Sequence, residues 1–205
     1  MRLRTSMKSE KSIPVIVIVD MLYDFIDGTL ACQNSERAVR EAVKFINNHD
    51  TMAVAYICDH HPANHSSFTE FGGVWPPHCV QGTRGGSIHD SFYSEISNKS
   101  SRPDKGNLFH KGEEATKEQY SGYEAVSSVN GTLDNYIKLH SSDKENSNVY
   151  VCGIATEFCI NATVRDLADS GRMVYIISDA LGYVEREGHE KSLKELSHYK
   201  NVTII

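Results

Sequence analysis

No apolar run in the 205-residue chain approaches the roughly 18 residues needed to cross a bilayer. The longest near the N-terminus, Pro14 to Val19, is too short for the apolar part of an export signal, and no small-residue cleavage site follows it. Positive charge is scarce as well. Twenty-one Lys and Arg face 27 Asp and Glu, a formal net charge of −6. The basic field with which general nucleic-acid binders meet a phosphate backbone is therefore missing. Cysteines number five, an odd count, and none are spaced CxxC. A disulfide framework is disfavoured, and a reducing compartment, the cytosol, is expected. There is no long low-complexity segment and no internal repeat. What remains is ordinary: 40% apolar and 23% charged residues, with length for one domain around a large core.

Residues 1–11 are polar and unpatterned and read as a disordered extension, which leaves 12–205 as a single domain. Val15-Ile16-Val17-Ile18-Val19 is apolar on both faces, the pattern of a central parallel strand, and it stops at Asp20. Ser35 is placed to cap a helix from Glu36 to about Asn48, with Ala38, Val39, Ala42, Val43 and Ile46 on one face. Further strands are expected at 52–58, 107–110, 149–155, 173–177 and 202–205. Helices are expected from a Thr132 cap through His140, from a Thr156 cap to a C′ glycine at Gly171, and over 187–199. Residues 60–106 and 112–131 show little periodicity, and 141–148 reads as a solvated loop. Strand–helix alternation implies a three-layer α/β/α domain with a central, mostly parallel sheet of about six strands.

Three reactive side chains fall at the ends of three strands: Asp20, Lys111 and Cys159. Ligands of open α/β sheets bind beyond the carboxyl ends of the strands, so residues far apart in sequence can meet there. Cys159 lies in the expected first turn of a helix, where unpaired N–H groups and the helix dipole favour a thiolate. From position alone Cys159 is equally a nucleophile or a small buried hydrophobe. Asp20 reads either as a general acid and base or as a strand-end cap, and Lys111 either as its partner or as a surface lysine.

The segment Asp59-His60-His61-Pro62-Ala63-Asn64-His65, with His78 beyond it, has the composition of a metal site. Residues i and i+2 of an extended chain share a side, so Asp59 and His61 converge while His60 points away. A helical turn beginning at Pro62 would bring His65 beside His61. One carboxylate with two or three imidazoles suits Zn²⁺, Fe²⁺ or Mn²⁺ with a position left open. Phe25 and Trp75 can serve as walls for a flat ring or as core residues.

Taken together, five pieces in order resemble the nicotinamidases (pyrazinamidases) among the isochorismatase-like cysteine hydrolases, over about residues 13–205. They are Val19-Asp20-Met21-Leu22-Tyr23-Asp24-Phe25; Asp59-His60-His61-Pro62 with His65-Ser66-Ser67-Phe68; Trp75-Pro76-Pro77-His78-Cys79-Val80 with Gly82-Thr83; His110-Lys111-Gly112 with Tyr120-Ser121-Gly122-Tyr123; and Gly153-Ile154-Ala155-Thr156-Glu157-Phe158-Cys159. The resemblance implies a triad of Asp20, Lys111 and Cys159. It implies metal ligands Asp59, His61 and His78, with His65 at a fourth position that varies among relatives. A cis peptide at Ile154–Ala155 is implied, turning the N–H groups of Ala155 and Cys159 toward an oxyanion. Phe25 and Trp75 match the residues that sandwich a pyridine ring, with Tyr120 nearby.

The activity implied is hydrolysis of nicotinamide to nicotinate and ammonia through a cysteine thioester, in NAD salvage, with one divalent ion, Zn²⁺ before Fe²⁺ or Mn²⁺, and no bound NAD. The expected partner is the small-molecule substrate, not nucleic acid or membrane; a homo-oligomer stays open. Two readings compete. One is another amide or ureide hydrolase of the superfamily, whose members are not expected to carry the Asp/His set; the other is a non-catalytic metal-binding relative. Leu22 and Tyr23 depart from the Gln and Asn frequent among relatives.

Overall fold

The computed structural model describes residues 12–141 and 147–205. The expectations for residues 1–11 and for most of the 141–148 loop lie outside the described residues. In chain order the elements are β1 (Val15–Val19), α1 (Tyr23–Ile26), α2 (Ser35–Asn48), β2 (Ala53–Asp59), α3 (Ser91–Ser94), β3 (Leu108–Lys111), β4 (Val126–Ser127), β5 (Gly131–Thr132), α4 (Leu133–His140), β6 (Asn148–Gly153), α5 (Asn161–Asp169), β7 (Met173–Leu181), α6 (Arg186–Leu196) and β8 (Val202–Ile204). Among them no helix is long and apolar enough to cross a membrane.

The strands form one eight-stranded sheet in the order β5-β4-β3-β2-β1-β6-β7-β8. The six strands read from sequence are all parallel to one another. The other two, β4 and β5, form an antiparallel edge. They correct the expected strand number, because two-residue strands are too short to carry any periodicity. From β1 the chain moves to β2 and β3 on one side, then returns to build β6, β7 and β8 on the other. The strand order therefore reverses between β1 and β6, where a ligand crevice opens in such sheets.

Alternation along β1 divides the core. Ile16 and Ile18 pack with Val54, Tyr56, Cys58 and the apolar face of α2, in which Ala38, Val39, Ala42, Val43 and Ile46 are all buried. Val15, Val17 and Val19 pack on the other face with Leu133 and Ile137 of α4, Val164 and Leu167 of α5, and Leu196 of α6. All five β1 residues are buried, and each such side chain contributes roughly 1.5–3 kcal/mol relative to exposure.

Two helix starts differ from expectation. Asn34, in the left-handed region at φ 62°, is the N-cap of α2, while the Ser35 hydroxyl turns inward and donates to the Ile26 carbonyl at 3.3 Å. Thr156 opens a π-helical turn, Thr156–Ile160, ahead of α5. Its hydroxyl does not cap; it donates to the Gly182 carbonyl at 2.9 Å. By contrast, Thr132 accepts from the Asn135 N–H at 3.2 Å, the cap expected for α4.

Candidate active site

The carboxyl ends of β1, β2, β3 and β6 meet at the reversal point. Asp20 leaves β1 with φ 51° and is wholly buried. Lys111 is the last residue of β3, and its ammonium is buried as well. Gly153 closes β6 at φ 139°, so near β1 that a Cβ there would sit 2.0 Å from the Val19 carbonyl oxygen. That contact admits only glycine. The following turn lowers Cys159 into the same space. Lys111 Nζ lies 2.9 Å from Asp20 Oδ2 and 3.5 Å from Cys159 Sγ, and it also donates to Asp59 Oδ1. Asp20 Oδ1 accepts the Asp59 N–H at 2.8 Å, tying the ends of β1 and β2. The structure thus brings Asp20, Lys111 and Cys159 into mutual reach.

Desolvation sets the charges. Burial, reinforced by the Asp59 carboxylate, pushes Asp20 up to about 6 against the pull of Lys111. Burial acts on Asp59 in the same direction, but Lys111 and His61 outweigh it and hold Asp59 below the usual carboxylate range. Lys111 would be lowered by burial; the carboxylates of Asp20 and Asp59 keep it protonated. For Cys159, burial pushes the thiol well above its ordinary value, and Lys111 opposes this only in part. The helix-turn position favours a thiolate, whereas burial beside two carboxylates favours the thiol, with the Asp20 carboxylate close by as a proton acceptor.

Asp59, His61 and His78 stand beside this centre, with one ligand atom from each all within 4.8 Å of one another. His61 Nδ1 pairs with the Gly112 carbonyl at 2.8 Å and His78 Nδ1 with the Pro76 carbonyl at 2.8 Å. A carbonyl only accepts, so Nδ1 carries the proton in both rings and Nε2 is left as the lone-pair donor. His61 Nε2 lies 3.6 Å from Asp59 Oδ2, the oxygen not used by Lys111. These donors fit a divalent cation. Gly112, at φ 68°, abuts the His61 ring so closely that a Cβ would lie 2.4 Å from Cε1.

Pro62 opens a turn, not a helix, in which the His65 N–H donates to the Pro62 carbonyl at 3.1 Å. It sets the His65 ring 4.1 Å from that of His61, tilted by 31°. Both His65 nitrogens are engaged, Nδ1 with Ser67 Oγ at 2.7 Å and Nε2 with the Lys117 carbonyl at 3.1 Å. Here His65 braces His61 and does not point a free nitrogen at the cluster. His60 points away, as expected.

Cys159 and Ala155 line a cavity together with Phe25, Trp75, Tyr120, Phe158, Leu30 and Val184, and Asp59 and His78 also reach its lining. Trp75 Nε1 donates to the Tyr120 hydroxyl at 3.1 Å, and Phe158 meets Trp75 edge-on at 5.1 Å between ring centroids. Phe158, Leu30 and Val184 were not singled out from the sequence. Phe158 had a signal, its place beside Cys159; the other two carried none. The Ile154–Ala155 peptide is cis. Leu22 is fully buried in the core behind the site, and neither it nor Tyr23 lines the cavity.

A cavity lined by a buried thiol, aromatic rings, a carboxylate and an imidazole suits a flat heteroaromatic carbonyl compound. The isochorismatase domain matches residues 14–204. The chain is 29% identical over 183 residues to the nicotinamidase of Escherichia coli K12, covering 80% of each. It is 28% identical over 186 residues to the nicotinamidase/pyrazinamidase of Mycobacterium tuberculosis, covering 88% of this chain and 92% of that one. Its fold superposes on the crystal structure of the Pyrococcus horikoshii pyrazinamidase in complex with zinc, with TM-score 0.77, 30% identity and coverage of 94% and 98%. With the domain match spanning nearly its whole length, the chain belongs to the isochorismatase family.

Proposed function

We propose that this protein is a metal-dependent amidohydrolase that converts nicotinamide to nicotinate and ammonia in cytosolic NAD salvage. The observation that carries the reading is the Asp20–Lys111–Cys159 contact at the floor of an aromatic cavity, directly beside Asp59, His61 and His78. The two curated relatives named nicotinamidase support it.

Phe25 and Trp75 hold the pyridine ring, with Phe158 and Tyr120 backing Trp75. Asp59, His61 and His78 would hold a divalent cation, Zn²⁺ first by its preference for imidazole and carboxylate, which when bound would supply a Lewis acid to orient the ring. As Cys159 Sγ adds to the carboxamide carbon, its proton passes to Asp20. The backbone N–H groups of Ala155 and Cys159 face the developing oxyanion. Asp20 returns the proton to the departing nitrogen, the C–N bond breaks, and ammonia leaves a thioester on Cys159. Asp20 then takes a proton from water as its oxygen attacks the thioester carbon, and nicotinate departs as the thiol reforms. Lys111 stays protonated throughout and balances whichever of Asp20 and Cys159 is charged.

The test is ammonia release from nicotinamide by purified protein. Cys159→Ala is expected to reduce it to background while nicotinamide still binds, and retained turnover would refute the nucleophile. Chelation is expected to weaken substrate binding strongly; an enzyme indifferent to metal removal would refute the metal's role. A panel of ureides and other amides separates this reading from other hydrolases of the superfamily.

A further inference from the structure

The alternation that turns Asp59, His61 and Lys111 toward the cavity turns their neighbours the other way. His60 follows β2, His110 sits in β3 paired with Cys58, and both side chains emerge on the α2 side of the sheet. There the two rings stack at 4.0 Å between centroids. Glu113 reaches back over them, with Oε1 2.8 Å from His60 Nδ1 and 3.7 Å from His110 Nδ1. One ligand atom from each of the three lies within 4.8 Å of the others. We propose that His60, His110 and Glu113 form a second divalent-cation site, of zinc type, on the outer face of the strand ends that carry the catalytic residues.

Three arguments support this. The spacing is close: a tetrahedral ion with bonds of roughly 2.0–2.1 Å has ligand–ligand edges of roughly 3.4 Å, between the two distances seen here, and its binding would replace the proton that His60 Nδ1 donates to Glu113 and turn the half-exposed rings out of their stack to aim both lone pairs at it. The two imidazoles ride on a firm frame, since His110 lies within β3, the His60 N–H donates to the Lys111 carbonyl at 2.9 Å and the His60 carbonyl accepts from Gln81 Nε2 at 3.0 Å. The site opens to solvent, with the three side chains between 29% and 52% exposed, so water can complete the coordination. Two imidazoles select zinc-like ions over magnesium or calcium. The nearby guanidinium of Arg84 is already paired with Asp27 at 2.8 Å and leaves Glu113 to the cation. Bound there, an ion would clamp the end of β2 to that of β3. The proposal does not depend on the reaction assigned above.

Zinc titration of the metal-depleted full chain, followed by calorimetry and by metal analysis after dialysis, tests it. The wild type is expected to bind two equivalents. His110→Gln and the exposed Glu113→Gln are each expected to weaken one of them at least tenfold, with far-ultraviolet circular dichroism confirming the fold. His78→Ala is expected to keep the equivalent that depends on Glu113. Binding in His110→Gln and Glu113→Gln equal to wild type, or no ion bound in His78→Ala, would overturn the site. A single wild-type equivalent that needs Glu113 but not His78 would uphold it and overturn the catalytic metal instead.

Discussion

The carboxylate of Asp24 accepts a 2.7 Å hydrogen bond from the backbone N–H of Cys79, 55 residues further along the chain. Its other oxygen accepts the Thr29 N–H at 3.2 Å. Cys79 has φ 48° and directly follows His78, so this buried carboxylate sets the path of the loop that carries a proposed metal ligand. Asp24→Ala leaves two donors without their partner, at about 1–3 kcal/mol. Urea unfolding is expected to show that loss, and metal affinity is expected to fall with it. An unchanged midpoint would show that the loop holds its path unaided.

Lys111 lies between the two buried carboxylates of Asp20 and Asp59. Removing one member of such a cluster strands the others, and typical costs are about 3–5 kcal/mol. Lys111→Ala is expected to lower stability by that order and to abolish turnover. Stability within about 1 kcal/mol of wild type would mean that water replaces the ammonium without difficulty.

Trp75 contributes a flat wall and no reacting atom. Trp75→Leu removes contact shared by the bound substrate and the transition state, so KM is expected to rise while kcat changes little. The loss of aromatic stacking, about 1 kcal/mol, predicts a rise of roughly fivefold. A fall in kcat with KM unchanged would place Trp75 in the chemistry instead.

Asp134 links three elements away from the site. Burial acts to raise it, but bonds from Lys138, from the Tyr123 hydroxyl at 3.0 Å and from Arg172 outweigh that and hold it below the ordinary value. The unfolded state therefore binds its proton at higher pH than the folded state does. The stability it contributes is complete above the ordinary carboxylate pKa of roughly 4 and disappears as pH falls through the lowered folded value. Asp134→Asn is expected to flatten this part of the acid limb of a stability-against-pH curve. An acid limb of unchanged steepness would count against the pairing.

What the sequence determined by itself is whatever near neighbours can carry. Five β-branched residues in a row made β1 a central strand. The spacing of Ala38, Val39, Ala42, Val43 and Ile46 made α2, and the two-residue period put Asp59 and His61 on one side with His60 on the other. Strand ends picked out Asp20, Lys111 and Cys159, and the resemblance gave them the roles of a triad. Tertiary structure alone decided the strand order, and with it the reversal between β1 and β6 that brings those three together. It buried Cys159 beside two carboxylates from other strands, which favour its thiol against the pull of its helix turn. It set both nitrogens of His65 against Ser67 and Lys117, and it drew Leu30 and Val184 into the cavity wall. Periodicity is a property of adjacent residues, whereas strand order, desolvation and the convergence of distant loops arise only when the whole chain packs.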